Sequence, residues 1–138
     1  MKFYSHLPNR TSIPFFDVRI CAGFPSPAED YMDKSLSLDE LLIRTPEATF
    51  FAEIEGDSMI DSMITEGDIA VIDKSLLAKN NSLVLAYVEG IGFTIKRYVK
   101  KAGKIYLSPS NKKYQAIELT EFVNARIWGV VIATVRKY

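Results

Sequence analysis

Thr49-Phe50-Phe51-Ala52-Glu53-Ile54-Glu55-Gly56-Asp57-Ser58-Met59-Ile60 runs from an alternating strand pattern into a loop, and its serine falls at the junction. Phe50, Ala52 and Ile54 share one face of the extended part. A serine placed here can be held from one side and stay exposed on the other, which suits a nucleophile. Its hydroxyl is weak near neutral pH and needs a base within hydrogen-bond reach. Histidine is the usual base, but the chain has a single one, His6, in a polar N-terminal stretch. Lysine is the other choice. In Gly92-Phe93-Thr94-Ile95-Lys96-Arg97-Tyr98 the strand period sends Phe93 and Ile95 one way and Thr94 and Lys96 the other, so Lys96 is a strand lysine on a core side. An edge-protecting lysine is the common alternative.

Outward from this pair the chain reads as strands. Ile69, Val71 and Ile72 lie in residues 68–73, residues 83–88 are β-rich, and Glu89-Gly90-Ile91-Gly92 turns into the Lys96 strand. Lys101-Ala102-Gly103-Lys104 turns into Ile105-Tyr106-Leu107, Asn111-Lys112-Lys113 is a loop, and residues 126–136 form a long closing strand. Short strands parted by turn residues predict a β-dominated sheet structure and not βαβ units. One short helix is expected after Ser37-Leu38-Asp39-Glu40, which spells a capping box, with Leu36 and Leu41 at the staple positions and Thr45-Pro46 as the stop.

The N-terminal part differs. Residues 1–14 show neither period and read as an arm. Phe16, Val18, Ile20 and Ala22 then alternate with polar neighbours, as in an extended segment that lays one face on an apolar surface. Gly23-Phe24-Pro25-Ser26-Pro27 holds the backbone out of helix and reads as a linker, so a functional boundary falls at Gly23.

Composition narrows the function. At 138 residues the chain is one domain that can bury a core without disulfides or metals, and the lone Cys21 makes no intramolecular bridge. Seventeen basic and seventeen acidic side chains cancel, which argues against gripping phosphate backbones as the main task and against sequence-specific DNA binding. The best apolar run, residues 128–135, is too short to span a membrane, so no membrane partner and a cytoplasmic location are expected. No Cys/His cluster or glycine-rich phosphate loop stands out, so no metal and no cofactor is expected.

Three stretches, in this order and spacing, resemble the LexA/UmuD family of self-cleaving Ser/Lys proteins: Cys21-Ala22-Gly23-Phe24-Pro25-Ser26-Pro27, then Gly56-Asp57-Ser58-Met59-Ile60-Asp61, then Phe93-Thr94-Ile95-Lys96-Arg97. The likeness runs from about Phe15 to the C-terminus. It implies a mainly β catalytic core of twisted, partly closed antiparallel sheets with one short helix, preceded by a flexible N-terminal arm. It further implies Ser58 as nucleophile, Lys96 as general base, the Ala22–Gly23 bond as substrate and backbone amides of Asp57 and Ser58 as oxyanion donors. Residues 1–22 are then the arm removed by self-cleavage, and 23–138 the catalytic and interaction domain. Chemically, burial must bring Lys96 from about 10.4 toward neutral before it can accept a proton. Partners implied by the resemblance are a second copy in a homodimer, a UmuC-like translesion polymerase subunit, and the RecA filament on single-stranded DNA as activator, all within the SOS response to DNA damage.

Ser62 and Met63 depart from the small, glycine-like residues that relatives often carry after the nucleophile. Competing readings are weaker. Gly-Asp-Ser hydrolases need a downstream histidine, signal peptidases with a Ser/Lys pair need a membrane anchor, and 22 residues before the scissile bond are too few for the helix-turn-helix domain of a LexA-type repressor. A Ser/Lys self-processing regulator carried by a phage or plasmid, and a non-catalytic β-rich binding module, remain as alternatives.

Overall fold

The computed structural model describes residues 2–5, 13–15, 23 and 34–138. In chain order the elements are β1 (Lys2–Ser5), β2 (Ile13–Phe15), β3 (Lys34–Leu36), α1 (Leu38–Leu42), β4 (Thr49–Glu53), β5 (Ile69–Asp73), β6 (Leu83–Val88), β7 (Gly92–Lys101), β8 (Lys104–Ser108), β9 (Ile117–Glu118) and β10 (Ala125–Val135). Single 3-10 turns occupy Pro46–Ala48 and Ile60–Ser62.

Backbone proximity divides the chain into two units, Leu7–Arg44 and Met1–His6 together with Thr45–Tyr138. In the first, β2 and β3 pair antiparallel with Ile13 opposite Leu36. In the second, eight antiparallel strands follow the order β1-β4-β5-β10-β6-β7-β8-β9, an open sheet with β1 and β9 at its two edges among the described residues. The mainly β, antiparallel architecture with one short α-helix is the one expected.

Both faces of the middle of this sheet are covered, which is why β6 reads as a nearly continuous apolar run. Leu83 and Leu85 point into a cluster with Ala52, Ile54, Met59, Ile72 and Ile95. Val84, Ala86 and Val88 point the other way, into a cluster with Leu107, Tyr98 and Ile127. Ile72, Val84, Leu85 and Leu107 are completely enclosed, and each such side chain stabilises the fold by roughly 1.5–3 kcal/mol. The register of β10 on β6 shifts between Ile127 and Gly129, leaving Trp128 as the extra residue of a bulge. Gly129 is required there. A Cβ on it would stand 2.7 Å from Ile72 Cγ2 and 3.0 Å from the Asp73 carbonyl oxygen.

Three local expectations differ from the structure. Helix α1 has five residues and starts at Ser37, but the Ser37 hydroxyl makes no capping bond and is buried without a partner. Leu41 is 60 % exposed, so no staple closes over it. The five-residue helix therefore forms without the side-chain cap and the staple that the motif describes. Residues 2–5, read as part of the arm, form an edge strand beside β4, with Phe3 opposite Ala52. Backbone pairing at an edge needs no side-chain period, so the sequence carried no signal for it. The alternating run 16–22 and the linker 24–27 lie outside the described residues.

Candidate functional site

Strand β4 ends at Glu53 and the chain turns at Gly56, whose φ of 82° lies in the left-handed region that glycine enters freely. Three residues on, Met59 is 3 % exposed and locked into the core cluster beside Ile54 and Ile64. Ser58 therefore sits between an exposed Asp57 and an anchored Met59, half-buried itself.

Lys96 comes from the middle of β7, opposite Val84 of β6. Its side chain emerges on the apolar Val84/Ala86 side and is 7 % exposed. Lys96 Nζ donates to Ser58 Oγ at 2.8 Å and to the Ile95 carbonyl at 3.1 Å, and makes a third, short bond to Thr94 Oγ1. Burial pushes the amine down from its ordinary value of 10.5 to about 8, because an ammonium loses hydration that three neutral acceptors only partly replace. No carboxylate joins this set of partners. Near neutrality a substantial share of the amine can give up its proton.

The loss of one proton inverts one contact. A neutral amine has two hydrogens and one lone pair. With Thr94 Oγ1 and the Ile95 carbonyl keeping the two hydrogens, the lone pair faces Ser58 Oγ and can accept its proton. Thr94 is a residue whose role the sequence reading passed over. Its signal was present, since a residue two positions before Lys96 on a strand shares its face.

A cavity of about 50 Å³ opens beside Ser58, walled by Ile54, Gly56, Met59, Ile64, Phe93 and Ile95. A wider one of about 360 Å³ lies along Asp57, Ser58, Ile91, Thr94, Lys96 and Tyr114. The loop between β8 and β9 forms the far side and reaches the segment around Ser58 through several bonds. Ser110 N donates to the Ser58 carbonyl at 2.8 Å, Asp61 N to the Ser110 carbonyl at 2.7 Å, and Ser62 Oγ to Ser110 Oγ at 2.6 Å. Asn111 Nδ2 donates to the Asp57 carbonyl at 2.9 Å, and the Tyr114 hydroxyl to Asp57 Oδ1 at 2.6 Å. None of these loop residues is legible as part of a site, because they meet it only through tertiary pairing across about fifty residues of chain.

Of the residues named from the sequence, Ser58 and Lys96 are thus in direct contact. The backbone N–H groups of Asp57 and Ser58 make no hydrogen bond to another described residue. Gly23 is exposed, and Ala22 lies outside the described residues. Among the described residues no group of three His, Cys, Asp or Glu side chains could hold a metal, and no helix is long and apolar enough to cross a membrane.

A serine hydroxyl bonded to a desolvated lysine, carried on an open antiparallel sheet, defines a class: β-rich serine peptidases in which lysine stands where histidine usually does. The chain belongs to the peptidase S24-like family, which its residues 14–132 match. It is 41 % identical over 121 residues to protein MucA of Salmonella typhimurium, covering 87 % of this chain and 82 % of that one. It is 39 % identical over 130 residues to protein SamA of the same species, covering 94 % and 89 %. The LexA repressor of Shewanella piezotolerans is 37 % identical over 101 residues, 73 % of this chain and 48 % of the repressor.

Proposed function

We propose that this protein cuts its own chain between Ala22 and Gly23, with Ser58 as nucleophile and Lys96 as general base and then general acid. The observation that carries the reading is the 2.8 Å contact between Lys96 Nζ and Ser58 Oγ, with the amine brought to about 8 by burial. Neutral Lys96 takes the Ser58 proton as Oγ attacks the Ala22 carbonyl carbon. The tetrahedral oxyanion is held by the Ser58 and Asp57 backbone N–H groups. Lys96 then gives the proton to the departing Gly23 nitrogen, leaving residues 1–22 as an ester on Ser58. Water, deprotonated by Lys96, attacks the ester carbon, the bond to Ser58 Oγ breaks as Lys96 returns the proton to it, and residues 1–22 leave as a free carboxylic acid.

Two features support this substrate. The small cavity of about 50 Å³ beside Ser58 is walled mainly by the apolar Ile54, Met59, Ile64, Phe93 and Ile95, which suits the apolar side chain of alanine. Thirty-five residues separate Gly23 from Ser58, and a tether of that length, roughly 110 Å when extended, holds the bond at high effective concentration. One turnover per molecule is the natural limit, leaving 1–22 and 23–138 as products.

The biological role follows the relatives. We infer that cleavage is a switch in the SOS response to DNA damage, stimulated by the RecA filament on single-stranded DNA. The trimmed 23–138 form, as a homodimer, serves as accessory subunit of a UmuC-like translesion polymerase in the cytoplasm. A partner that favours the cleavable conformation needs to supply no catalytic group.

The test is incubation of the pure protein at pH 7 and pH 10 followed by intact mass, beside Ser58→Ala and Lys96→Ala. A fragment starting at Gly23, faster at pH 10 and absent from both variants, is expected. An uncut wild type, or variants that cut equally well, defeats the reading and leaves a β-rich binding module. A pull-down of the 23–138 form against a translesion polymerase distinguishes the repair role from a phage or plasmid regulator.

A further inference from the structure

We propose that Asn111, in the loop between β8 and β9, is a positioning residue for catalysis, setting the direction of the Ser58 backbone N–H by gripping the other end of the same peptide group. The inference rests on the reading of Ser58 as nucleophile and its amide as oxyanion donor, and adds a residue that reading does not include. In a trans peptide the carbonyl of one residue and the N–H of the next point in opposite directions in one plane. The Asp57 carbonyl and the Ser58 N–H are such a pair. The carbonyl accepts from Asn111 Nδ2 at 2.9 Å and from Ile60 N at 3.1 Å. Ile60 lies within the same turn and moves with it, whereas Asn111 belongs to a different part of the sheet. Among the described residues, Asn111 is the one outside the turn that bonds to this peptide plane.

The rest of the loop is arranged to make the grip rigid. Asn111 Oδ1 accepts from Lys113 N at 3.0 Å, which fixes the side-chain amide with its NH2 turned toward Asp57. Ser110 N takes the Ser58 carbonyl at 2.8 Å, so the peptide on the other side of the nucleophile is tied to the same loop. Tyr114 holds the Asp57 carboxylate at 2.6 Å. Meanwhile the Ser58 N–H makes no bond to another described residue, although its carbonyl neighbours on both sides are engaged. An amide held from behind and left unspent in front is what oxyanion stabilisation requires, because the donor needs no reorganisation when charge develops.

The experiment measures self-cleavage of the full chain from pH 6 to 11 by intact mass, with thermal unfolding of each protein alongside. Asn111→Asp keeps the acceptor for Lys113 N and removes the donor to Asp57. Asn111→Ala removes the donor without adding charge, so it separates lost positioning from a new carboxylate. Both are expected to cut about tenfold more slowly at every pH, less than the 10²–10³ that deleting an oxyanion donor costs. The midpoint of the Asn111→Ala pH profile and its thermal midpoint are expected to match the wild type. Wild-type rates in both variants overturn the proposal. So does a shifted pH midpoint in Asn111→Ala, which means the loop acts through Lys96, and so does a rate loss that tracks a fall in thermal midpoint. A wild type that stays uncut, or Ser58→Ala that cuts, overturns the Ser58 reading and the role of Asn111 with it.

Discussion

Replacing Lys96 by methionine should abolish self-cleavage and yet make the protein more stable at pH 7. Methionine fills nearly the same space without a charge. The move of the amine from 10.5 to about 8 corresponds to about 3 kcal/mol of penalty on its charged form. Because the group is only 7 % exposed, solvent screening takes little from that figure. Below pH 8 both folded and unfolded chains carry the proton, so the whole penalty acts against folding. Between about 8 and 10.5 the unfolded chain binds more protons than the folded one, and stability rises with pH. The variant leaves the Thr94 hydroxyl and Ile95 carbonyl without their donor, an offset of about 1 kcal/mol. The net gain is about 2 kcal/mol at pH 7, shrinking to nothing or reversing by about pH 10. Urea unfolding at both pH values, with Ser58→Ala in both proteins to keep the chain whole, reads it. The same protonation sets the catalytic profile. Roughly a tenth of the amine is neutral at pH 7, against about 0.03 % for an unburied lysine, so cleavage should rise tenfold per pH step below 8 and level off above about 9. A variant less stable at pH 7 than at pH 10 relative to its parent, or a rate still climbing at pH 10, refutes the argument.

Met63 stands at φ 61° and is 79 % exposed, so Met63→Gly should relieve left-handed strain and raise stability by about 0.5–1 kcal/mol in chemical denaturation, with cleavage retained. Arg136→Leu strips the 2 %-exposed Asp68 of two bonds, at 2.7 and 2.9 Å, that hold its carboxyl below the usual 3.8. With Asp68 left enclosed and without its partner, stability at pH 7 should fall. The loss should fade as pH drops below 3.8 and protonation removes the pair from the wild type too, which acid titration of stability checks. Gly129→Ala forces a Cβ against Ile72 and the Asp73 backbone, and should lower the thermal midpoint by the equivalent of about 1–3 kcal/mol.

Apolar patterning together with turn residues was enough to place β4 through β8 and β10 within a few residues, because strands buried on one or both faces must show their burial in the side chains. The strand period put Lys96 on a core side and, unused, put Thr94 beside it. Where burial imposes no pattern the sequence was mute: β1 and β9 pair through backbone at the sheet edges, and neither stretch alternates. The capping box before α1 misled because the Ser37 hydroxyl makes no bond to the helix it precedes.

By itself the sequence determined the central strands, the place of Ser58 at a strand end and the need for a lysine where histidine was missing. Only the tertiary structure decided that β7 brings Lys96 to 2.8 Å from Ser58, that the amine is stripped of water, and that Ser110, Asn111 and Tyr114 reach across to hold residues 57 and 58. Desolvation and hydrogen bonding act through space over a few ångströms, and residues thirty-eight or fifty-four positions apart come within that range only once the sheet has formed.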